Sequence, residues 1–236
     1  MIRNTQNRLS YYLLGIIVCL FLFLFLTAIV AWHGPYLFLN TYVHRTIETI
    51  QTSYLTLAAT FLSILGNKYI VVPALILTSL FLFFQAQRRL AVHFFLVIVL
   101  AATIAFLFKN FFPIPRPEEH GVIESFAFPS RHVALCSAYL IFILAIVSPK
   151  IKSSRWLTMT IFCLILAESI ARLILKVHWL TDVMGGFFLG SACGLIGAYS
   201  YHLKPDPALD LPVFFKTLVI IFGITSMVYY LIPGFF

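Results

Sequence analysis

Lys109, Arg116, Arg131, His132, Arg172, His178 and Asp182 fall in three short polar clusters of a chain that is otherwise almost entirely apolar. Their types suit phosphate chemistry. Arg presents a planar fork to phosphate oxygens, and Lys offers a compact point charge. An imidazole steadied by a carboxylate keeps one ring nitrogen free as a nucleophile, and a second imidazole can carry a proton to or from the reacting group. His178 and Asp182 stand four apart, so on one helical turn they share a face. The same spacing also serves as a plain pairing at a helix start.

Each of the other polar residues carries a simpler alternative beside its chemical one. Lys109 and Arg116 border a connection stiffened by Pro113, Pro115 and Pro117, and two such cations can equally be anchors that snorkel to lipid headgroups. Ser130 precedes an apolar run, where a hydroxyl caps the helix and the N-terminal dipole attracts an anion. His132, taken singly, reads equally as a polar interfacial residue. Glu168 lies one turn before Arg172 inside an apolar run, so it needs a partner, and Arg172 is expected to supply one. Glu168 would then aim the guanidinium from behind.

These residues must be positioned by membrane-spanning elements. Apolar residues make up 61% of the 236, charged residues 10%, and mean hydropathy is +1.00; a soluble domain carries about a quarter charged residues. Runs near 11–32, 69–87, 90–108, 132–148, 156–175 and 182–202 are each long enough to cross a bilayer, and a seventh near 213–232 either spans or lies against the bundle. The expected fold is an all-α, polytopic membrane bundle of six core helices plus that seventh, in one domain over 1–236. The connection 33–66 holds a semi-apolar tract, 54–65, expected either as an interfacial amphipathic helix or as a shallow bundle helix. Gly186, Gly190 and Gly194 give one helix a small-residue face for close packing. Cys19, Cys136, Cys163 and Cys193 sit in apolar runs without metal-ligand spacing and read as small buried hydrophobes.

Orientation follows from Lys and Arg. With the amino terminus inside, Arg3, Arg8, Arg88, Arg89, Lys150, Lys152, Arg155, Lys204 and Lys216 face the cytoplasm, against Arg45, Lys68 and Lys176 outside. All three clusters then fall at the outer rim, which in a bacterium is the periplasmic face of the inner membrane. The formal charge of +8 is not gathered on a soluble face, which weighs against nucleic acid as a partner.

The order and spacing of the clusters, Lys109-x6-Arg116-Pro117, then Pro129-Ser130-x-His132, then Arg172-x5-His178-x3-Asp182, resemble the signature of the type 2 phosphatidic acid phosphatase superfamily. The resemblance covers 109–182 and looks like the membrane branch of that group. It implies that His178 attacks phosphorus to form a phosphohistidine, Asp182 orients it, and His132 protonates the leaving oxygen and then helps activate water. Lys109, Arg116, Arg172 and Ser130 would hold the phosphate oxygens. It implies no cofactor and no metal, because fixed cations can neutralise the spreading charge of phosphoryl transfer.

Two positions depart from the family pattern: Ala171 stands where Ser is usual, and Arg131 where Gly is usual. Arg131 is expected either to contact a second phosphate or to point at lipid headgroups. The expected partners are the bilayer and a phosphorylated lipid, with undecaprenyl diphosphate first. Lipid A 1-phosphate, phosphatidylglycerophosphate or a phosphate-accepting lipid use the same residues. A lipid transporter or flippase is the alternative of another class, without an inverted repeat to support it.

Overall fold

The computed structural model describes residues 2–118, 125–152, 154–204 and 209–231, with side chains from residue 7 onward. Among these residues the chain is helical, without strands. Nine helices follow in order: α1 (Ile2–His33), α2 (Phe38–Ile50), α3 (Ser53–Leu62), α4 (Lys68–Phe84), α5 (Arg88–Phe111), α6 (Arg131–Val147), α7 (Ser154–Ile174), α8 (Leu180–Leu203) and α9 (Leu211–Leu231). Seven stretches are long and apolar enough to cross a membrane, and the second runs through α3 and α4 as Ser53–Phe84. Large apolar side chains such as Phe21, Phe25, Leu96, Phe106 and Leu166 are exposed around the outside. A water-soluble surface does not carry such a band, whereas hydrocarbon accepts it. The all-α polytopic bundle expected from the sequence is the fold observed.

Helix α6 is the axis. Most of it is buried among α5, α7 and α8, while α1 lies along α8 and α9 along α4 at the periphery. The α6–α8 contact is the closest because α8 presents its glycines there. A Cβ on Gly186 would come 2.5 Å from the Ser130 carbonyl oxygen, and one on Gly194 would come 2.6 Å from that of Ala138. At Gly190 a Cβ would overlap the Ala134 carbonyl. The small-residue face therefore lets two backbones touch, as the four-residue spacing indicates.

The connection after α1 is more structured than its sequence conveys. It forms α2, which the apolar pattern does not reveal, and α3, which packs on α7. The tract 54–65 falls within the candidate span Ser53–Phe84, with α3 packed against α7. A short 3-10 turn, Ser63–Gly66, follows α3 and packs against both α6 and α7. Helix α9 stacks Tyr229 on Tyr69 of α4, with centroids 6.4 Å apart. Cys136 and Cys193 are buried, but Cys163 is exposed on the outer face, since an apolar surroundings for a membrane helix can be lipid.

Candidate active site

The ends of α5, α6, α7 and α8 meet at one rim of the bundle. Lys109 lies in the last turn of α5, Arg131 and His132 open α6, Arg172 lies in the last turn of α7, and His178 stands two residues before α8. Cross-links between these ends are direct. The Ser130 N–H donates to the Asp182 carbonyl at 2.9 Å, Trp179 Nε1 donates to the Pro115 carbonyl at 2.8 Å, and Arg116 Nη1 donates to the Val177 carbonyl.

Helix α7 ends with Lys176 in a left-handed conformation, φ 53°. That conformation turns the chain back so that His178 arrives over the start of α8. Asp182 sits in the first turn of α8, fully buried. Its Oδ2 accepts the Trp179 N–H at 2.7 Å and lies 3.4 Å from His178 Nδ1. The helix-start pairing is observed, since one carboxylate oxygen caps the helix and lies nearest the imidazole, while Nδ1 makes no hydrogen bond among the described residues. With Nδ1 turned to Asp182, Nε2 is the ring nitrogen left for chemistry. Burial, reinforced by the positive charges of Lys109, Arg116 and Arg172, holds His178 well below the ordinary imidazole range. A neutral imidazole is the nucleophilic form.

Several cations act on this imidazole. Lys109 and Arg172 are buried, and their charges, with those of Arg116 and His132, all act on His178. Lys109 Nζ donates to the carbonyls of Phe126 and Ala127. Arg116 Nε donates to the Ser125 carbonyl at 2.8 Å and Nη2 to the Ser125 hydroxyl at 3.0 Å. The Arg116 bonds spread the guanidinium across 125–126 and the loop before α8. Burial lowers the Arg116 pKa from its ordinary value, yet Arg keeps its charge throughout the physiological range. His178 thus lies within the electrostatic reach of several positive groups, and fixed positive charge is what a phosphoryl group in flight requires.

Three details differ from the sequence expectations. Ser130 occupies the N-cap position of α6, but its hydroxyl makes no capping bond; it is fully buried and without a partner among the described residues. Glu168 is also fully buried, yet no ion pair with Arg172 forms within 4.0 Å, and both carboxylate oxygens lack a hydrogen bond among the described residues. Arg172 Nη1 instead donates to the Ser63 hydroxyl at 2.7 Å. The cause is the 3-10 turn, which wedges between α6 and α7: a Cβ on Gly66 would sit 2.5 Å from the His132 carbonyl and 2.8 Å from Glu168 Oε1. Glu119, His120 and Glu124 of the intervening loop lie outside the described residues.

Sequence reasoning missed Ser63, Gly66, Asn40 and Trp179. Gly66-Asn67 is a turn signal, but nothing in it says that the turn lies beneath His132. Asn40 is buried on α2, accepts the Thr181 N–H at 3.1 Å and donates to the Thr181 hydroxyl at 2.9 Å. It holds α2 onto the first turn of α8.

A bundle of spanning helices that gathers buried Lys109, Arg172, His178 and Asp182 near one rim has the frame of a class, the helical membrane phosphatases. Within that class the family is given by residues 90–206, which match the PAP2 superfamily. The chain belongs to that superfamily and is a phosphatase of the membrane. It is 26% identical over 160 residues to a protein of Sulfolobus acidocaldarius named undecaprenyl-diphosphatase, covering 64% of this chain and 73% of that protein. Its fold is similar to the crystal structure of the first transmembrane PAP2 type phosphatidylglycerolphosphate phosphatase from Bacillus subtilis, with a TM-score of 0.70 at 19% identity over 83% of this chain and 99% of the other. Aquifex aeolicus LpxE is similar too, with a TM-score of 0.54 at 24% identity over 69% of this chain and 96% of that one.

Proposed function

We propose that this membrane lipid phosphatase acts on a lipid diphosphate, undecaprenyl diphosphate first, through a phosphohistidine at His178. Nε2 of His178 attacks the terminal phosphorus while Lys109, Arg116, Arg172 and the buried Ser130 hydroxyl hold its equatorial oxygens. His132 protonates a strongly basic leaving oxygen and is thereby left neutral, or is neutral from the outset where the leaving group needs no proton, and the neutral ring then removes a proton from the water that hydrolyses the phosphohistidine. Asp182 keeps the ring turned and stabilises the charge it gains. The carrying observation is the 3.4 Å contact of His178 Nδ1 with a buried carboxylate, where the charges of Lys109, Arg116 and Arg172 also act on the ring.

Undecaprenyl diphosphate is placed first because the relative from Sulfolobus acidocaldarius carries that substrate in its name and because Arg131 adds a cation beside the pocket. The excess of Lys and Arg at the opposite ends of the helices supports a cytoplasmic amino terminus and a site facing the exterior of a bacterial inner membrane. Headgroup and pocket then meet at the rim while the tail stays in hydrocarbon. The test is phosphate release by purified protein in detergent from a panel of phosphorylated lipids. Wild type releases phosphate and His178→Ala does not; equal release by both would end this reading, and release only from monophosphate lipids would remove the diphosphate.

A further inference from the structure

We propose that Arg131 and Lys68 form a second anion subsite, which holds the departing phosphate of a diphosphate lipid beside His132. The inference rests on the phosphatase reading above and adds the residues that select the leaving group.

Arg131 is the first residue of α6, and Lys68 the first of α4. Gly66 brings these two helix starts together through its contact with the His132 carbonyl. The charge of Arg131 acts on Lys109, Arg116, His132 and Arg172 on the pocket side, and on Tyr69 on the other. Lys68 Nζ lies 4.4 Å from the centre of the Tyr69 ring. Tyr69 thus lies within reach of both charges. Neither has a carboxylate within 4.0 Å among the described residues. Arg131 Nε is buried with no bond partner among them, as is the Ser130 hydroxyl next to it. A buried guanidinium N–H without an acceptor is costly unless an anion supplies one.

The chemistry explains what the subsite would do. Attack by Nε2 forms an N–P bond and breaks the bridging P–O bond, and the electron pair goes to the bridging oxygen. In a lipid monophosphate that oxygen departs as an alkoxide, so strongly basic that it needs the proton of His132. In a diphosphate it departs as part of a phosphate monoester, whose second pKa is about 6. Such a leaving group needs little protonation near neutrality. What it needs is a place for its charge, and two cations beside His132 provide it. Division of labour follows: His132 serves the alkoxide, whereas Arg131 and Lys68 serve the phosphate.

The experiment compares farnesyl diphosphate with farnesyl monophosphate, which share one tail, in detergent micelles. For the Arg131→Gln, Lys68→Gln double variant, kcat/KM on the diphosphate is expected to fall roughly ten- to hundredfold further than on the monophosphate. His132→Gln should show the reverse preference. Because each ratio is taken within one preparation, loss of folded protein cancels. An equal change on both substrates overturns the subsite while leaving the phosphatase intact. Wild type that hydrolyses neither, or His178→Ala that hydrolyses both, overturns the phosphatase reading instead.

Discussion

The backbone N–H of Ser130 donates to the backbone carbonyl of Asp182 at 2.9 Å, which joins the start of α6 to the start of α8. The bond ties together the two chain segments that carry His132 and His178. It can form only because the two helix backbones approach so closely at Gly186, Gly190 and Gly194. Replacing Gly190 with Leu should push α6 away, costing about 1–3 kcal/mol or more of packing. Thermal unfolding followed by size-exclusion in detergent should show a lower midpoint, together with lost phosphate release. A variant with unaltered midpoint and activity would mean that the close approach positions nothing.

The pH dependence of kcat/KM reports on His178. A free imidazole is half protonated near pH 6.5. Protonation removes the nucleophile, and burial with neighbouring cations lowers this pKa. The acid limb is therefore expected below pH 6.5. Lys109→Gln removes one of those positive charges, so its acid limb should move to higher pH even though its activity falls. A wild-type limb above pH 6.5, or a downward shift in Lys109→Gln, would contradict the placement of these charges.

Ser63 accepts from Arg172 at 2.7 Å, which makes it a positioning residue for the guanidinium. Ser63→Ala is expected to raise KM roughly three- to tenfold with a smaller effect on kcat, because Arg172 keeps its charge but loses its aim. Gly66→Ala should do more, since a methyl there meets the His132 carbonyl and Glu168. Steady-state kinetics on one lipid substrate separates the two parameters. If Ser63→Ala lowers only kcat, the bond matters to the chemistry rather than to binding.

Chelator should leave activity in place, because Lys109, Arg116 and Arg172 supply the charge that a divalent ion would otherwise bring. Phosphate release is measured before and after dialysis against EDTA. Loss restored by added metal would contradict this and direct attention to His44, Glu48 and Glu118. Their ligand atoms lie within 4.8 Å of one another, although Glu118 already pairs with Lys176.

Much of this was legible in the chain before any coordinates, for a physical reason. Hydrocarbon tolerates so few ionisable groups that Lys109, Arg172 and Asp182 stand out against their apolar neighbours, and the glycine period in α8 shows a face made for contact. What stayed hidden came from tertiary contact between weakly patterned segments. Ser63 and Gly66 are small residues in a semi-apolar tract, and only folding brings their turn under α6. Asn40 likewise shows nothing until α2 docks on Thr181. The Glu168–Arg172 pair failed for the same reason: helical spacing allows it, but Ser63 takes the guanidinium first.

The sharpest test is to trap the covalent intermediate. Purified protein is mixed with lipid diphosphate labelled in the terminal phosphate, quenched in base within one turnover, and digested for mass spectrometry. Label on His178, stable in base, lost in acid, and missing from His178→Ala, is the expected result. Label on another residue, or full turnover by His178→Ala, would contradict the mechanism.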